Sequence, residues 1–319
     1  MIVRIAASLA SAVLAVAAAP SDCARCHREA RSFGETAMAR ALVPVAESAI
    51  LRSNPKLTAK LGLYSYEIAG STLVVRDGKE TLRAQIEWAF GDGKVGQTYL
   101  YRGNGAWYES RISYFPAIAG LDITIGQQDI TPHNLAEAAG RLVSPAEMTK
   151  CFDCHATGAR QQQMFPGVLC ERCHGGADAH LRSGASMKKL SALTTEELSD
   201  FCGECHRTWS LVAANGPRGI QNIRFQPYRL AGARCYSATD NRIKCTACHD
   251  PHRPLETTLE SYDARCAACH SASGGARTCP TAARGCAGCH MPKVDLPGAH
   301  RKFTDHRIRI AKTGEAYPD

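Results

Sequence analysis

The pentapeptide Cys-x-x-Cys-His occurs seven times in this chain of 319 residues, and it decides most of what such a chain can fold into. The copies are Cys23/Cys26/His27, Cys151/Cys154/His155, Cys170/Cys173/His174, Cys202/Cys205/His206, Cys245/Cys248/His249, Cys266/Cys269/His270 and Cys286/Cys289/His290. The spacing is that of a c-type haem attachment site. Two thiols add across the vinyl groups of one porphyrin, and the adjacent imidazole lies where it can bind the iron. Zinc sites also use Cys-x-x-Cys pairs, but each metal needs two further ligands, and nothing then requires a histidine after the second cysteine. All seven pairs carry one. A thioredoxin-like pair occurs once, near a βαβ pattern, and disulfide frameworks space their cysteines differently. The motifs therefore predict seven covalently attached haem c groups, each bringing an iron.

The amino terminus points to export. Met1 to Arg4 is a short positive stretch, Ile5 to Ala15 is apolar, and Ala15-Val16-Ala17 offers a small-x-small cleavage site, so residues 1–17 read as a signal peptide. The apolar run falls short of the ~20 residues that span a bilayer, which disfavours an uncleaved anchor. No later segment is apolar enough to cross a membrane, so the expectation is a periplasmic or otherwise exported protein with no integral membrane segment after signal removal. Cys235 and Cys279 lie outside the motifs. In an oxidising compartment two such thiols most simply pair, the alternative being two free thiols. Without Arg4 the formal net charge of +8 becomes +7. A ferric haem with its two propionates carries about −1, so seven of them roughly cancel that excess. The basic composition is a counterweight to propionates, and no nucleic-acid recognition motif accompanies it.

The motifs are unevenly placed. The second begins 128 residues after the first, and the last six follow one another at intervals of 19 to 43 residues. Between the first two lie short β-branched and aromatic runs at residues 63–68, 72–75, 97–101 and 106–114, with Asp77-Gly78 and Asn104-Gly105 as hairpin turns. Farther on, Ser144-Pro145-Ala146-Glu147 and Thr194-Thr195-Glu196-Glu197 read as capped helix starts that lead into haem motifs. The predicted organisation is a signal peptide (1–17), an N-terminal haem segment (18–45), a haem-free β-rich region (46–140) and a six-haem region (141–319). The predicted fold is a multihaem cytochrome c of mainly short α-helices and irregular loops around packed haems, with an inserted small antiparallel β-rich region.

Histidine arithmetic bears on the irons. Seven of the twelve histidines belong to motifs, leaving His133, His180, His252, His300 and His306 as candidate distal ligands. Five haems at most can then be bis-histidine. His252 follows His249 too closely to reach the far side of the same haem, so it is expected to serve a neighbour, and the same argument applies to His180 after His174. His300 and His306 lie where they can reach back over earlier haems, the alternative being exposed histidines on a basic tail. Met38, on an expected helix from Phe33 to Arg40, is a further candidate ligand for the first haem, against the commoner role of a core methionine.

The run from Pro166 through Cys170, Cys173 and His174 to His180, with Cys245 through His252, resembles the multihaem cytochromes that include cytochrome c-554. The ending from Cys286 to Lys293, followed by Phe303-Thr304-Asp305-His306-Arg307, is similar to multihaem cytochromes of environmental bacteria. The resemblance implies closely packed haem pairs, mostly bis-histidine, that pass electrons, with one haem sometimes five-coordinate. It covers the haem segments and leaves the β-rich stretch unexplained. The leading expectation is an electron carrier working with redox partner proteins, either other cytochromes or a quinol-linked donor. The alternative is an oxidoreductase that turns over a small nitrogen or sulfur compound at a five-coordinate haem. No catalytic residue is identifiable.

Overall fold

Strand-forming sequence dominates the interval between the first two motifs, and the computed structural model shows what it builds. The structure describes residues 23–161, 163–271, 278–312 and 314–318, so the expected signal peptide lies outside it. Nine strands make one antiparallel sheet: β1 (Leu42–Pro44), β2 (Lys56–Leu61), β3 (Tyr64–Ala69), β4 (Thr72–Arg76), β5 (Thr81–Phe90), β6 (Gln97–Gly103), β7 (Ala106–Phe115), β8 (Gly120–Ile123) and β9 (Gly140–Val143). The order runs β2 to β8 in sequence, with β1 added beside β5 and β9 beside β7. The two ends of that path, β2 and β8, come together, so the sheet curls almost into a barrel.

This overturns the expected fold class. The sheet is large and nearly barrel-shaped, not a small insertion among short helices and loops. The reason is visible in its strands. In β3, alternate residues Tyr64, Tyr66 and Ile68 point inward and are buried, the period-2 pattern of a half-buried strand. They meet Leu73, Val75, Ile86, Tyr99, Ile112 and Tyr114 in one core. Asn104 and Gly105 both have positive φ, the conformation that a tight two-residue hairpin between β6 and β7 requires. The loop from Asp77 to Glu80 is held by the Asp77 carboxylate, which accepts from the N–H groups of Lys79 and Glu80 at 2.8 Å each.

Two features seat the haem motifs on this sheet. Leu100 and Val143 pack with Met148, Trp88, Phe90, Trp107 and Phe152, which joins the outer face of the sheet to the helix Pro145–His155. The segment before β1 forms the second seam. Its helix stops at Phe33, and residues 34–40 continue as turns, so Met38 is not on a helix as expected. There Thr36 Oγ1 accepts from the N–H of Ala39, and the Gly34 carbonyl accepts from Arg40 Nε, local bonds that replace helix. The Met38 carbonyl accepts from the N–H of Val168, and Gly167, at φ 81°, lies so close that an added Cβ would meet Ala39 O at 2.1 Å. Beyond the sheet the chain is short helices, with two small two-stranded ladders, β10 (Ala156–Thr157) with β11 (Phe165–Pro166) and β12 (Lys293–Leu296) with β13 (Arg301–Thr304).

Candidate metal centres

Six of the seven motifs lie on helices. The helices Pro145–His155 and Thr195–His206 each begin at a complete capping box, Ser144 with Glu147 and Thr194 with Glu197, and each ends on the motif histidine. The helices Cys170–His174 and Cys286–His290 are the motif itself, Asp263–His270 adds three residues ahead of it, and Cys245–Cys248 ends just before His249. The first motif makes a helical turn in which the N–H groups of Cys26 and His27 donate to Cys23 O at 3.2 and 2.8 Å. In a helical turn the cysteines at i and i+3 share a face, and the histidine at i+4 stands beside the first of them.

The imidazoles are held in a repeated way. His155 Nδ1 lies 2.9 Å from Ala41 O, His174 Nδ1 3.1 Å from Lys188 O, and His290 Nδ1 2.8 Å from Arg309 O. His180 Nδ1 lies 2.9 Å from Ala185 O and His306 Nδ1 3.1 Å from Thr304 O. A ring whose Nδ1–H donates to a carbonyl keeps its Nε2 lone pair for a metal, which is the usual support of a ligating histidine. Burial pushes the imidazoles of His155, His206 and His249 below their ordinary value, and that of His306 down to about 4. A neutral ring is the one that can ligate.

Three pairs of histidine rings far apart in sequence lie close together. His27 and His180 have centres 6.1 Å apart, His174 and His252 6.0 Å, and His249 and His306 6.1 Å. A metal–imidazole bond of about 2.0–2.1 Å, plus about 1.1 Å from Nε2 to the ring centre, puts two trans ligands of one metal about 6.2–6.4 Å apart. The pairs are thus spaced as two imidazoles around one iron, so the residues fit haem with two axial histidines. Among the described residues no three or more His, Cys, Asp or Glu side chains converge as a site for a bare metal ion. Cys235 and Cys279 are both exposed and are not joined in a disulfide.

The motifs also adjoin one another. Thiols that lie near enough to influence one another are Cys23 with Cys170, Cys154 with Cys205, Cys202 with Cys245 and Cys266 with Cys286. The first motif thus lies beside the third, the second beside the fourth, the fourth beside the fifth, and the sixth beside the seventh. A cavity of about 520 Å³ opens beside the second of these contacts, lined by Asp153, Arg160, Arg172 and Glu204.

Not every expected attachment cysteine joins these contacts. Cys26, Cys269 and Cys289, the second thiols of the first, sixth and seventh motifs, lie outside the thiol pairs just given, as do Cys151, Cys173 and Cys248. Cys26 and Cys289 are exposed, and Cys269 is half-buried on the side of Cys235 and Arg242. In these three motifs it is the first cysteine, Cys23, Cys266 or Cys286, that meets a neighbouring motif.

The other candidates are placed differently. His300 Nε2 lies 2.7 Å from Asp122 Oδ2, and its ring packs against Phe115 at 5.0 Å, so it joins the turn before β13 to the sheet. His133 stands exposed ahead of the helix Leu135–Ala139, its backbone N–H donating to Glu137. Met38 is half-buried in the seam described above. Sequence reasoning did not find the groups that orient the rings. The carbonyls of Ala41, Lys188 and Arg309 carry no residue signature, because any residue supplies one. Phe90, whose ring lies 5.1 Å from that of His155, reads in the sequence only as a strand residue.

Known proteins resemble this chain in sequence and in fold. Residues 126–175, which contain the second and third motifs, match the family described as cytochrome c554 and c-prime. The multiheme cytochrome MtrA of Shewanella baltica (strain OS185) is 23% identical over 181 residues, covering 47% of this chain and 54% of that protein. The matched region thus spans about half the length of that relative. The crystal structure of the outer cell wall cytochrome OcwA is similar over 91% of this chain and 78% of its own, with a TM-score of 0.52 and 13% identity, a likeness of fold. The two sequence matches support a multihaem c-type cytochrome with covalently bound haem c. No helix among the described residues is long and apolar enough to cross a membrane.

Proposed function

We propose that the protein is an exported heptahaem cytochrome that carries electrons between redox partner proteins, with a chain of adjoining motifs as its conduit. The observation that carries this reading is the set of three histidine pairs at 6.0–6.1 Å, each joining a motif histidine to a non-motif one. When bound, haem c supplies a one-electron couple whose potential follows its axial ligands and surroundings. The residues of the chain do the rest. The fourteen motif cysteines anchor the groups. Cys26, Cys269 and Cys289 are among them, because attachment asks of the second cysteine its place in the turn and not a neighbouring thiol. His27, His155, His174, His206, His249, His270 and His290 would each hold the iron of their own motif, and His180, His252 and His306 would be second ligands at the first, third and fifth motifs. Nδ1 bonds to backbone carbonyls fix the ring planes. His300 and His133 are left out of this ligand set, His300 because its Nε2 is engaged by Asp122. Other cytochromes or a quinol-linked donor are the partners this role calls for.

A second reading, an oxidoreductase acting on a small nitrogen or sulfur compound, draws on one observation. Among the described residues neither His155 nor His206 has a histidine ring at the 6 Å spacing of the three pairs, and burial, with the Arg224 guanidinium adding to it, depresses the basicity of both. Ferric EPR on the holoprotein, with haem quantified and then nitrite or cyanide added, separates the two. Low-spin signals that ignore the ligand support the carrier. A high-spin signal that responds to it makes the enzyme the better reading.

A further inference from the structure

His306 sits in irregular chain just beyond β13, yet the centre of its ring lies 6.1 Å from that of His249. A ligand on a loop needs something else to fix it, since axial positions tolerate errors of only about 0.5 Å. The neighbouring Asp305 provides a fixed point. Its side chain is 0% exposed, and that of Arg229, on the helix Gln226–Ala231, is 1% exposed. Arg229 grips the carboxylate at two points, Nε to Oδ1 and Nη2 to Oδ2, each at 2.9 Å. Arg309 Nη1 adds a third donor at 2.8 Å, and the N–H of Arg307 a fourth at 3.0 Å. Arg229 is fixed in turn. Its Nη1 donates to Pro318 O at 2.7 Å and to Asn222 Oδ1 at 3.3 Å, and its guanidinium lies 4.5 Å from the centre of the Tyr317 ring.

The same stretch reaches a second iron position. The N–H of Arg309 donates to His290 O at 3.1 Å, and Arg309 O faces His290 Nδ1 at 2.8 Å. Residues 305–309 therefore touch both the ring opposite the fifth motif and the histidine of the seventh. A buried ion pair is weak evidence for stability, because well-packed apolar residues in its place are often as stable. What a two-point grip supplies that apolar packing does not is direction.

We propose that the Arg229–Asp305 pair is a positioning device for the haem ligands of the carboxy-terminal segment, setting His306 opposite His249 and holding His290 through Arg309. The inference rests on the reading of His249 and His306 as ligands of one iron. Its test is the double substitution Arg229→Met with Asp305→Leu in the holoprotein, which replaces the pair by apolar residues of similar size. Covalent haem content should be unchanged, one low-spin EPR signal should be lost to high spin, and added imidazole should restore it. The lost signal should be the one missing in His306→Ala. Tyr317→Phe, which leaves the pair intact, should leave the EPR spectrum as it is. If the double variant does not fold, Arg229→Lys decides the matter, since it keeps the charge and loses the two-point grip. It should convert the same haem partly to high spin. A full set of low-spin signals in the folded double variant, or an unchanged spectrum for Arg229→Lys where only that protein folds, overturns the proposal. If His306→Ala itself leaves the low-spin count unchanged, the ligand assignment fails instead.

Discussion

Which nitrogen a histidine spends separates ligand from strut in this molecule. His174 gives Nδ1 to a backbone carbonyl and faces His252 with rings nearly parallel, 10° apart. His300 gives Nε2, the nitrogen that the ligand candidates with a carbonyl-bound Nδ1 keep free, to the Asp122 carboxylate. The two histidines should therefore answer differently to the same substitution. In the proposed arrangement His252→Ala leaves all haem attached and turns one iron from low to high spin, visible by EPR and reversible with imidazole. His300→Ala leaves every iron as it was. Its cost is in stability, about 0–1 kcal/mol, because both partners of the His300–Asp122 contact are partly exposed and water screens them. A change of spin state in His300→Ala would place that ring on an iron.

Among the elements, the helices that end in motifs show how local chemistry sets the site. Helix Pro145–His155 starts at Ser144 and Glu147, and Glu147 also takes Arg141 Nη1 at 2.9 Å. The Ser144 backbone N–H, and then Arg141, hold the Glu147 carboxyl below its ordinary 4.5. A carboxylate whose value is lowered by folding stabilises above its unfolded value, and that contribution is lost as pH falls through the folded one. Ser144→Ala should cost about 1 kcal/mol in thermal or denaturant unfolding at neutral pH. Glu147→Gln should melt lower than the parent at pH 7, with a gap that narrows below pH 4.5. A gap that stays constant down to pH 3 would mean that the charge plays no part. These caps were legible because a capping box is local, as is the Asn104-Gly105 turn. The size of the sheet was not. Thr81–Phe90 contains Ala84, Gln85 and Glu87, residues of helical propensity, and becomes a strand through neighbours on both sides and burial of Ala84, Ile86 and Ala89. Met38 misled in the opposite direction, since its apparent helix gives way to turns that tie it to Val168.

On the scale of the whole molecule, the sheet carries the second motif and the histidine pairs cross-brace the others. His180, just past the third motif, faces the first, His252, just past the fifth, faces the third, and His306 faces the fifth. The residue types of this site could be read from sequence, because Cys-x-x-Cys-His states its own chemistry. The pairing could not, since His27 and His180 are 153 positions apart and no local pattern records which distant rings meet. If each facing pair holds one iron, three haems share one kind of axial environment, while His155 and His206 stand in another, with Arg224 nearby. Axial ligands move haem potentials over a range on the order of 0.8 V, and bis-histidine sites lie low in it compared with sites that carry a methionine ligand. A reductive titration of the holoprotein, followed optically and by EPR, should therefore be spread over several overlapping steps, with the bis-histidine signals among the last to be reduced. His306→Ala should raise one of those late steps and leave those of the other two pairs close to their parent values. A single wave no wider than one one-electron site would show that all the irons share one environment, and the three pairs would then be packing contacts and not ligand sets.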